Sequence, residues 1–239
     1  IDMELQLKDL ETVDKKLEKV KRAAKTGNKE AQKEEAVLLK IKSALEAGTS
    51  VRALEFSKED YEEFVSPAQF ITDKPVMYVC NVDEASAATG NAYVEKVREA
   101  VKDENAEILV LAVGTEADIN ELDDYEERKM FLQDIGLDEP GSSKLIRSAY
   151  KLLNQQTYFT AGVKEVRAWT IDVGATAPQA AGVIHTDFEK GFIRAEVIGY
   201  EDFASFGSEA KVKEAGKMRV EGKNYIVKDG DVMHFLFNV

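Results

Sequence analysis

The chain has few of the residues that build disulfide-bonded, metal-binding or membrane-spanning proteins. Its 239 residues include a single cysteine, Cys80, and two histidines, His185 and His234. One cysteine excludes an intramolecular disulfide and fits a reducing compartment, so we expect a cytoplasmic protein. Because the histidines are far apart and no cysteine cluster accompanies them, we expect no metal site. No run of about 18 apolar residues occurs, so we expect neither a transmembrane helix nor a membrane partner.

The sequence also lacks the motif that most nucleotide-binding α/β proteins use to hold phosphates. No Gly-x-x-x-x-Gly-Lys-Ser/Thr loop occurs anywhere in the 239 residues. No secretion signal opens the chain, and its first residue is Ile1 rather than methionine. With 44% hydrophobic and 32% charged residues, the composition is that of a globular protein. We therefore expect a fragment or a processed product of a longer globular protein.

Charge is distributed unevenly along the chain. The formal net charge of −13 argues against a general nucleic-acid coat. The segment from Lys15 to Lys33, however, contains eight basic and two acidic residues, so its net charge is about +6 and that of the rest of the chain is about −19. The basic residues are Lys15, Lys16, Lys19, Lys21, Arg22, Lys25, Lys29 and Lys33. Such asymmetry indicates a local anionic partner.

Residues 1–70 are predicted to form a helical coiled-coil arm. Apolar positions spaced by three and four residues predict a first helix that ends at Thr26-Gly27-Asn28 and a second that ends at Gly48. The stripe of the first helix is Met3, Gln6, Leu10, Val13, Leu17, Val20 and Ala24. Residues 51–70 are predicted to be helical as well, with Ser57 as the N-cap. Lys21, Arg22 and Lys25 are then predicted to lie at the tip of the helical hairpin. They either form a solvated surface or bind the phosphates of RNA.

Residues 71–153 alternate strand and helix, which predicts part of a Ras-like nucleotide-binding domain whose phosphate-binding half is missing. The apolar runs Val76–Cys80 and Ile108–Val113 are typical of strands covered on both faces, and the helix Ala92–Lys102 between them predicts a parallel crossover. Two strands form no stable sheet alone, so the others are expected to come from residues before Ile1. Further helices are predicted at Glu121–Asp134 and Ser143–Leu153.

Residues 154–239 predict a compact mixed sheet of the β-grasp kind, which makes the whole chain an α+β multi-domain protein. Alternating β-branched and aromatic residues predict several short strands, and Asp229-Gly230 predicts a hairpin turn between the last two. The predicted strands are Val166–Val173, Phe192–Ile198, Tyr225–Val227 and Val232–Phe237, and the predicted helices are Pro178–Ile184 and Glu201–Phe206.

The candidate ligand site is Asn81-Val82-Asp83-Glu84, directly after an apolar strand. GTPases read guanine there with Asn-Lys-x-Asp, because a short Asp carboxylate accepts from both N1–H and N2–H₂. Glu84 is one methylene longer than that aspartate, and Val82 stands where the lysine would be. Both changes weaken guanine selection and leave main-chain groups around Val82 to read adenine. The alternative is an ordinary strand-to-helix turn.

Two further motifs carry weaker signals. Val113 and Gly114 follow the next strand, and the carboxyl ends of neighbouring parallel strands border one pocket. His185 and Asp187 could be half of a catalytic triad, but no nucleophile motif accompanies them. We therefore expect Val113 and Gly114 to border the nucleotide, and no residue of this chain to be catalytic.

Several motifs resemble the YchF (Obg-like ATPase) family. They are Leu152-Leu-Asn-Gln-Gln-Thr-Tyr-Phe-Thr-Ala-Gly-Val-Lys-Glu-Val-Arg-Ala-Trp-Thr-Ile171, the stretches from Gly174 to Gly182 and from His185 to Arg194, and the ending from Tyr225 to Val239. A shorter match is Asp9-Leu-Glu-Thr-Val13 in the first helix. The resemblance covers essentially the whole chain. It implies a Ras-like domain, a coiled-coil arm inserted into it, and a C-terminal TGS domain of β-grasp fold.

The same resemblance implies a ribosome-associated P-loop ATPase that prefers ATP to GTP. The family's altered base motif, Asn-x-x-Glu, is matched by Asn81 and Glu84, and Val82 would contact adenine through its main chain. ATP, with Mg²⁺ in the full-length protein, is the implied cofactor, and ribosomal RNA or protein the implied partner. Because the family's phosphate loop and proposed catalytic histidine lie upstream of the arm, we expect the 239 residues alone not to hydrolyse ATP. The alternative is a non-catalytic module in which the arm and the TGS domain bind the ribosome or RNA.

Overall fold

The structure, a computed structural model, describes residues 1–104, 106–162 and 165–238. The chain divides into two compact units, Ile1–Gly141 and Ser142–Val239. No helix in these ranges is long and apolar enough to cross a membrane. Of the family-like motifs, Val163, Lys164 and Val239 lie outside the described residues. The three-domain division predicted from the sequence stays a prediction.

The first unit opens with a pair of long helices. Helices α1 (Asp2–Lys25) and α2 (Lys29–Glu46) pack against each other along their length. Gly27, in the turn, has a φ of +87°, which glycine adopts without strain. The Asn28 side chain accepts hydrogen bonds from Glu30 N and Ala31 N and so caps α2. The interface buries Val13, Leu17, Val20, Ala24, Ala31, Leu38, Ile41 and Leu45, whereas Met3, at the start of the predicted stripe, is exposed.

The helical stretch predicted for 51–70 is confirmed only in part, because residues 54–57 interrupt it. Short helical turns lie at Val51–Ala53 and Ile71–Asp73, and between them α3 (Lys58–Asp60), Tyr61–Val65 and Ser66–Ala68 form one unbroken helical run. Ser57 Oγ does cap this segment, because it accepts from Asp60 N at 3.1 Å. Phe64, Val65 and Phe70 are buried in the same core as the helix pair. Burial of these three apolar side chains holds the segment against α1 and α2.

The rest of the first unit is a two-stranded parallel sheet with helices. Strands β1 (Met77–Asn81) and β2 (Glu107–Leu111) are joined by the crossover helix α4 (Ala92–Ala100), and Asn81 lies opposite Leu111. The predicted strand Ile108–Val113 is too long, because Val113 already begins α5 (Val113–Glu121). The predicted helix Glu121–Asp134 is also wrong at its start: α6 (Tyr125–Asp134) begins where the Asp124 side chain caps Glu126 N and Glu127 N.

The second unit is a five-stranded mixed sheet with short helices. Its elements are α7 (Gly141–Leu152, whose first residue ends the first unit), β3 (Gln155–Ala161), β4 (Val166–Asp172), α8 (Ala177–Ile184), α9 (Thr186–Lys190), β5 (Phe192–Ile198), α10 (Tyr200–Phe206), α11 (Glu209–Glu214), β6 (Arg219–Glu221) and β7 (Val232–Phe237). The strand order is β4-β3-β7-β5-β6, with β3 and β7 parallel and the other pairs antiparallel. Tyr158 is fully buried and donates its hydroxyl to Ala180 O at 2.8 Å, which ties the sheet to α8.

The hairpin predicted at Asp229-Gly230 is wrong. Residues 225–227 form no strand, and β7 pairs with β3 and β5 instead. Asp229 accepts from Thr157 N, and Gly230 N donates to Thr157 O, so the turn is fastened to β3. The alternation that predicted a strand comes from a loop in which Val227 is buried and the Tyr225 hydroxyl donates to buried Asp231 at 2.7 Å.

The start of β5 meets the end of the chain at a position with no room for a side chain. Asn238 N donates to Gly191 O at 2.9 Å. A Cβ atom on Gly191 would lie far inside van der Waals contact with the carbonyl oxygen of Asn238. Because that atom belongs to the backbone, neither strand can give way cheaply.

We expect Gly191→Ala to lower the free energy of unfolding of the second unit by about 1–3 kcal/mol through this overpacking. Gly222→Ala is the matched control, since a Cβ there meets no atom within 4 Å and the change should cost at most a few tenths of a kcal/mol. Urea unfolding of the two variants measures both values, and equal midpoints would contradict the argument.

Candidate functional site

The candidate site lies where the two parallel strands of the first unit end. Asn81 is the last residue of β1, and its side-chain Oδ1 accepts a hydrogen bond from Val113 N at 3.1 Å. Val82 N donates to Leu111 O at 2.9 Å. Val113 is the first residue of α5, so its N–H is one of those that a helix cannot satisfy internally. Asn81 therefore caps a helix that follows the neighbouring strand, and it fixes the two strand-end loops together.

The two acidic residues of the loop have different environments. Asp83 Oδ1 accepts from Ser86 N at 2.9 Å and caps the short turn Glu84–Ser86. Glu84 is exposed, and within the described chain its carboxylate has no hydrogen bond or ion pair. Asp83 thus holds the shape of the loop, and Glu84 is the carboxylate that is free to contact a ligand.

The hydrogen bonds also limit what the main chain offers to a ligand. The N–H of Val82 donates to Leu111, and that of Val113 donates to Asn81. The Val82 carbonyl and the Glu84 carboxylate are two acceptors at this edge. The main-chain contact predicted for Val82 is therefore narrowed to its carbonyl oxygen.

Val113 and Gly114 lie in the first turn of α5 rather than in a loop. Val113 is 52% exposed, and a Cβ built on Gly114 meets nothing within 4 Å. The structure thus brings Val113 to Asn81 and leaves open space at Gly114. Sequence reasoning missed Glu116, whose Oε1 accepts from Gly141 N, at the start of α7, at 2.6 Å. No local signal marks this contact, because the two residues are 25 positions apart in the chain.

The basic residues of the arm lie apart from this loop. Lys21, Arg22 and Lys25 are exposed in the last two turns of α1. Across the described ranges, no carboxylate lies within ion-pair distance of these three side chains, and no hydrogen bond joins them to the Asn81–Glu84 loop. We call these three residues the basic tip.

The two histidines lie in different elements of the second unit. His185 Nδ1 accepts from Asp187 N at 3.2 Å and so caps α9, and it lies 3.4 Å from Asp187 Oδ2. His234 lies in β7, opposite Glu196 of β5. The expectation that neither histidine is catalytic stays a prediction.

Known proteins match this chain over its whole length. The family YchF-GTPase_C, described as a protein of unknown function (DUF933), matches residues 155–238. A relative from Shigella flexneri, named Ribosome-binding ATPase YchF, is 55% identical over 239 residues, covering 100% of this chain and 65% of the relative. A relative of the same name from Bacillus subtilis (strain 168) is 48% identical over 241 residues with the same two coverages. The solved structure of the Schizosaccharomyces pombe YchF GTPase matches with a TM-score of 0.84 and 32% identity, covering 99% of this chain and 64% of that one.

The chain is homologous to YchF proteins over its whole length. It spans 65% of the length of the curated YchF relatives it matches. The resemblance identified from the sequence motifs is thereby confirmed, and so is an α+β fold that matches a YchF structure. Which residues of this chain bind a ligand stays a prediction.

The Asn81–Val113 hydrogen bond can be tested directly. We expect Asn81→Ala to speed hydrogen exchange of the Val113 amide about fivefold, because a typical hydrogen bond contributes about 1 kcal/mol. Asn81→Asp keeps an acceptor at the same place and adds a negative charge at a helix N-terminus, so it should retain protection. Amide exchange followed by NMR measures both variants. If the Val113 amide exchanges at the same rate in wild type and Asn81→Ala, the capping role is wrong.

Proposed function

We propose that this chain is part of a ribosome-associated P-loop ATPase of YchF type, acting in the cytoplasm, and that it supplies the base-reading loop, the arm and a C-terminal TGS domain. The observation that carries the proposal is the strand-end loop itself. Asn81 caps α5 through Val113 N, Asp83 holds the turn, and Glu84 stays free at the open edge. The names of the relatives, which include both ATPase and GTPase, agree with nucleotide binding by their proteins.

The proposed ligand at this loop is the adenine of ATP. Adenine carries an amino group at C6, which donates hydrogen bonds, beside N1, which accepts them. The Val82 carbonyl suits the amino group, and the longer side chain of Glu84 moves its negative charge away from the place where guanine would offer N1–H and N2–H₂. Gly114 and Val113 leave open space for the ring.

The residues of this chain fit the base but supply no cradle for the phosphates. The 239 residues contain no Gly-x-x-x-x-Gly-Lys-Ser/Thr motif, which in P-loop proteins holds the phosphates and Mg²⁺. When bound in the full-length protein, Mg²⁺ would neutralise charge on those phosphates. The contribution of this chain to nucleotide binding is therefore specificity for the base.

Residues 154–239, the part of the second unit that follows α7, are proposed to be the TGS domain. A central parallel pair, β3 and β7, flanked by antiparallel strands and packed on α8, is the arrangement expected of a β-grasp fold. Residues 1–70 are then the coiled-coil arm, and residues 71–153 part of the Ras-like domain. Residues 1–141 fall in a single unit, which agrees with an arm that is inserted into that domain, whereas residues 142–153 fall in the second unit.

The basic tip is proposed as a contact to ribosomal RNA. Its three cations lack acidic partners among the described side chains, in a protein whose net charge is −13. Unpaired lysine and arginine at the end of a long helix pair can reach phosphates that a flat acidic surface would repel. Relatives named as ribosome-binding support this partner.

We expect Glu84→Asp in the full-length protein to lower the preference for ATP over GTP about tenfold. The shorter carboxylate approaches the position of the guanine donors, and a well-placed pair of hydrogen bonds is worth about 1–3 kcal/mol of discrimination. Glu121→Asp makes the same change at an exposed residue at the far end of α5 and should leave the preference unchanged. Calorimetric titration with both nucleotides measures the ratio. An unaltered ratio in Glu84→Asp would sink the assignment of Glu84.

We expect reversal of Lys21, Arg22 and Lys25 to glutamate to weaken ribosome binding and to flatten its dependence on salt. Each lost phosphate contact lowers the slope of log affinity against log salt by about 0.7–0.9, so the slope should fall by about 2. Reversal of Lys96, Lys102 and Lys129 changes net charge equally and is the control. Cosedimentation with purified ribosomes at several salt concentrations gives both slopes. If both triple variants lose the same ribosome affinity and salt dependence, the basic tip makes no specific contact and is only a solvated surface.

A further inference from the structure

A buried carboxylate fixes the base of the arm. Asp9, on α1, is 2% exposed. Its Oδ1 accepts from Ile71 N at 2.8 Å, and its Oδ2 accepts from Thr72 N and Thr72 Oγ1, both at 2.7 Å. A buried carboxylate with three short charge-assisted hydrogen bonds holds its partners in one geometry. The turn Ile71–Asp73, which leads into β1, is thus fastened to the first helix of the arm.

Thr72 extends this connection to a second turn. It is 1% exposed, and its Oγ1 accepts from Val51 N at 3.1 Å. The next residue, Arg52, donates to Thr72 O at 3.4 Å. One hydroxyl therefore both donates to Asp9 and accepts from the turn Val51–Ala53, so that α1 and both turns share a single hydrogen-bonded cluster.

Arg52 and Glu104 carry the network to strand β1. The Arg52 guanidinium pairs with Glu104 Oε2 at 3.4 Å, and the Tyr78 hydroxyl donates to the same oxygen at 2.8 Å. Partial burial, with the bond to Glu104, raises the pKa of the Tyr78 phenol, so it remains a donor at neutral pH. Tyr78 lies in β1, three residues before Asn81. A continuous series of polar contacts thus runs from α1 to the strand that ends at the candidate site.

The two ends of this series are the two proposed binding surfaces. Arg22 of the basic tip lies 13 residues after Asp9 on the same helix, or about 20 Å away at 1.5 Å per residue. Asn81 lies about 10 Å along β1 from Tyr78. A long helix and a strand bend little. A change in the angle between α1 and β1 must therefore alter the contacts that join them. Those contacts are Asp9–Thr72, Arg52–Glu104 and Glu104–Tyr78.

We propose that this network couples ribosome binding at the basic tip to nucleotide binding at the Asn81–Glu84 loop. The inference rests on the proposed function, because it needs both ligands. Asp9, Thr72, Arg52, Glu104 and Tyr78 are positioning residues: none touches either ligand, and each fixes the orientation of the arm relative to β1. Such coupling is reciprocal, so ribosomes change the affinity for ATP by the same factor as ATP changes the affinity for ribosomes.

The test measures the coupling factor in the full-length protein, as the ratio of ATP dissociation constants with and without saturating purified ribosomes. Coupling factors of about 5–150 are typical of allosteric proteins. We expect Tyr78→Phe and Glu104→Gln to bring the factor at least threefold closer to 1. Neither residue contacts the nucleotide, so ATP affinity without ribosomes should stay within twofold of wild type.

Tyr61→Phe is the matched control. The Tyr61 hydroxyl donates to Asp73 Oδ2 at 2.8 Å, the same length as the bond of Tyr78, but this pair is no link between α1 and β1. The control should keep the wild-type coupling factor. Thermal melting of each variant verifies folding, and Tyr78→Phe, which removes one oxygen atom, decides the question if Glu104→Gln unfolds.

Loss of coupling in the two network variants, with the control intact, supports the proposal. An unchanged factor in Tyr78→Phe, or an equal loss in Tyr61→Phe, overturns it. If wild type binds ATP and ribosomes independently, the coupling fails and the proposed function stands. If wild type binds neither, the proposed function fails and this inference fails with it.

Discussion

The structure of the first unit depends on the burial of the Asp9 carboxylate. Taking a charged carboxylate out of water is costly unless the lost hydration is replaced by good donors. Here two backbone N–H groups and one hydroxyl replace it, all from Ile71 and Thr72. The same carboxylate is the acceptor for these donors. Removing it would leave each donor that stays buried without a partner, at a cost of about 1–3 kcal/mol each. The turn before β1 therefore has one stable position relative to α1.

The apolar core of the arm supports the same relation. Side chains of α1 and α2 form one buried cluster with Val51, Phe64, Val65 and Phe70. The segment between the arm and β1 consequently packs on the helices through its apolar residues and is oriented by its polar ones. Hydrophobic burial is not directional, whereas the Asp9 hydrogen bonds are. Burial of the apolar core thus stabilises the packing of the segment on the helices, and the hydrogen bonds of Asp9 determine its orientation.

Sequence reasoning predicted the elements whose signals are local. The helix pair follows from the apolar stripe and the turn at Thr26-Gly27-Asn28, and β1 and β2 follow from continuous apolar runs flanking an amphipathic helix. It failed where a tertiary contact overrides the local pattern. Asp229-Gly230 predicts a hairpin, yet hydrogen bonds to Thr157, more than 70 residues away, fasten that turn to β3.

The candidate site shows the same division. The sequence predicted that Asn81 and Glu84 follow an apolar strand, and Asn81 is indeed the last residue of β1, because a polar cluster after an apolar run is a local signal. The role of Asn81 as the cap of α5, and of Asp83 as the cap of its own turn, depends on register and side-chain direction. Asp9 carries no local signal at all: an acidic residue in the first half of a charged helix predicts a solvated side chain.

The hydrogen bonds around Asn81 also constrain the chemistry of the proposed ligand. Since the N–H groups of Val82 and Val113 are both used within the protein, Val82 can contact the proposed base only through its carbonyl oxygen. That carbonyl favours a base with an exocyclic amino group facing it and disfavours one that presents a carbonyl there, because two facing acceptors are left unpaired. Hypoxanthine, which carries an oxygen in place of the adenine amino group, is such a base. Among bases that do carry an amino group, the length of residue 84 then decides, since it sets how far the carboxylate lies from the neighbouring ring nitrogen.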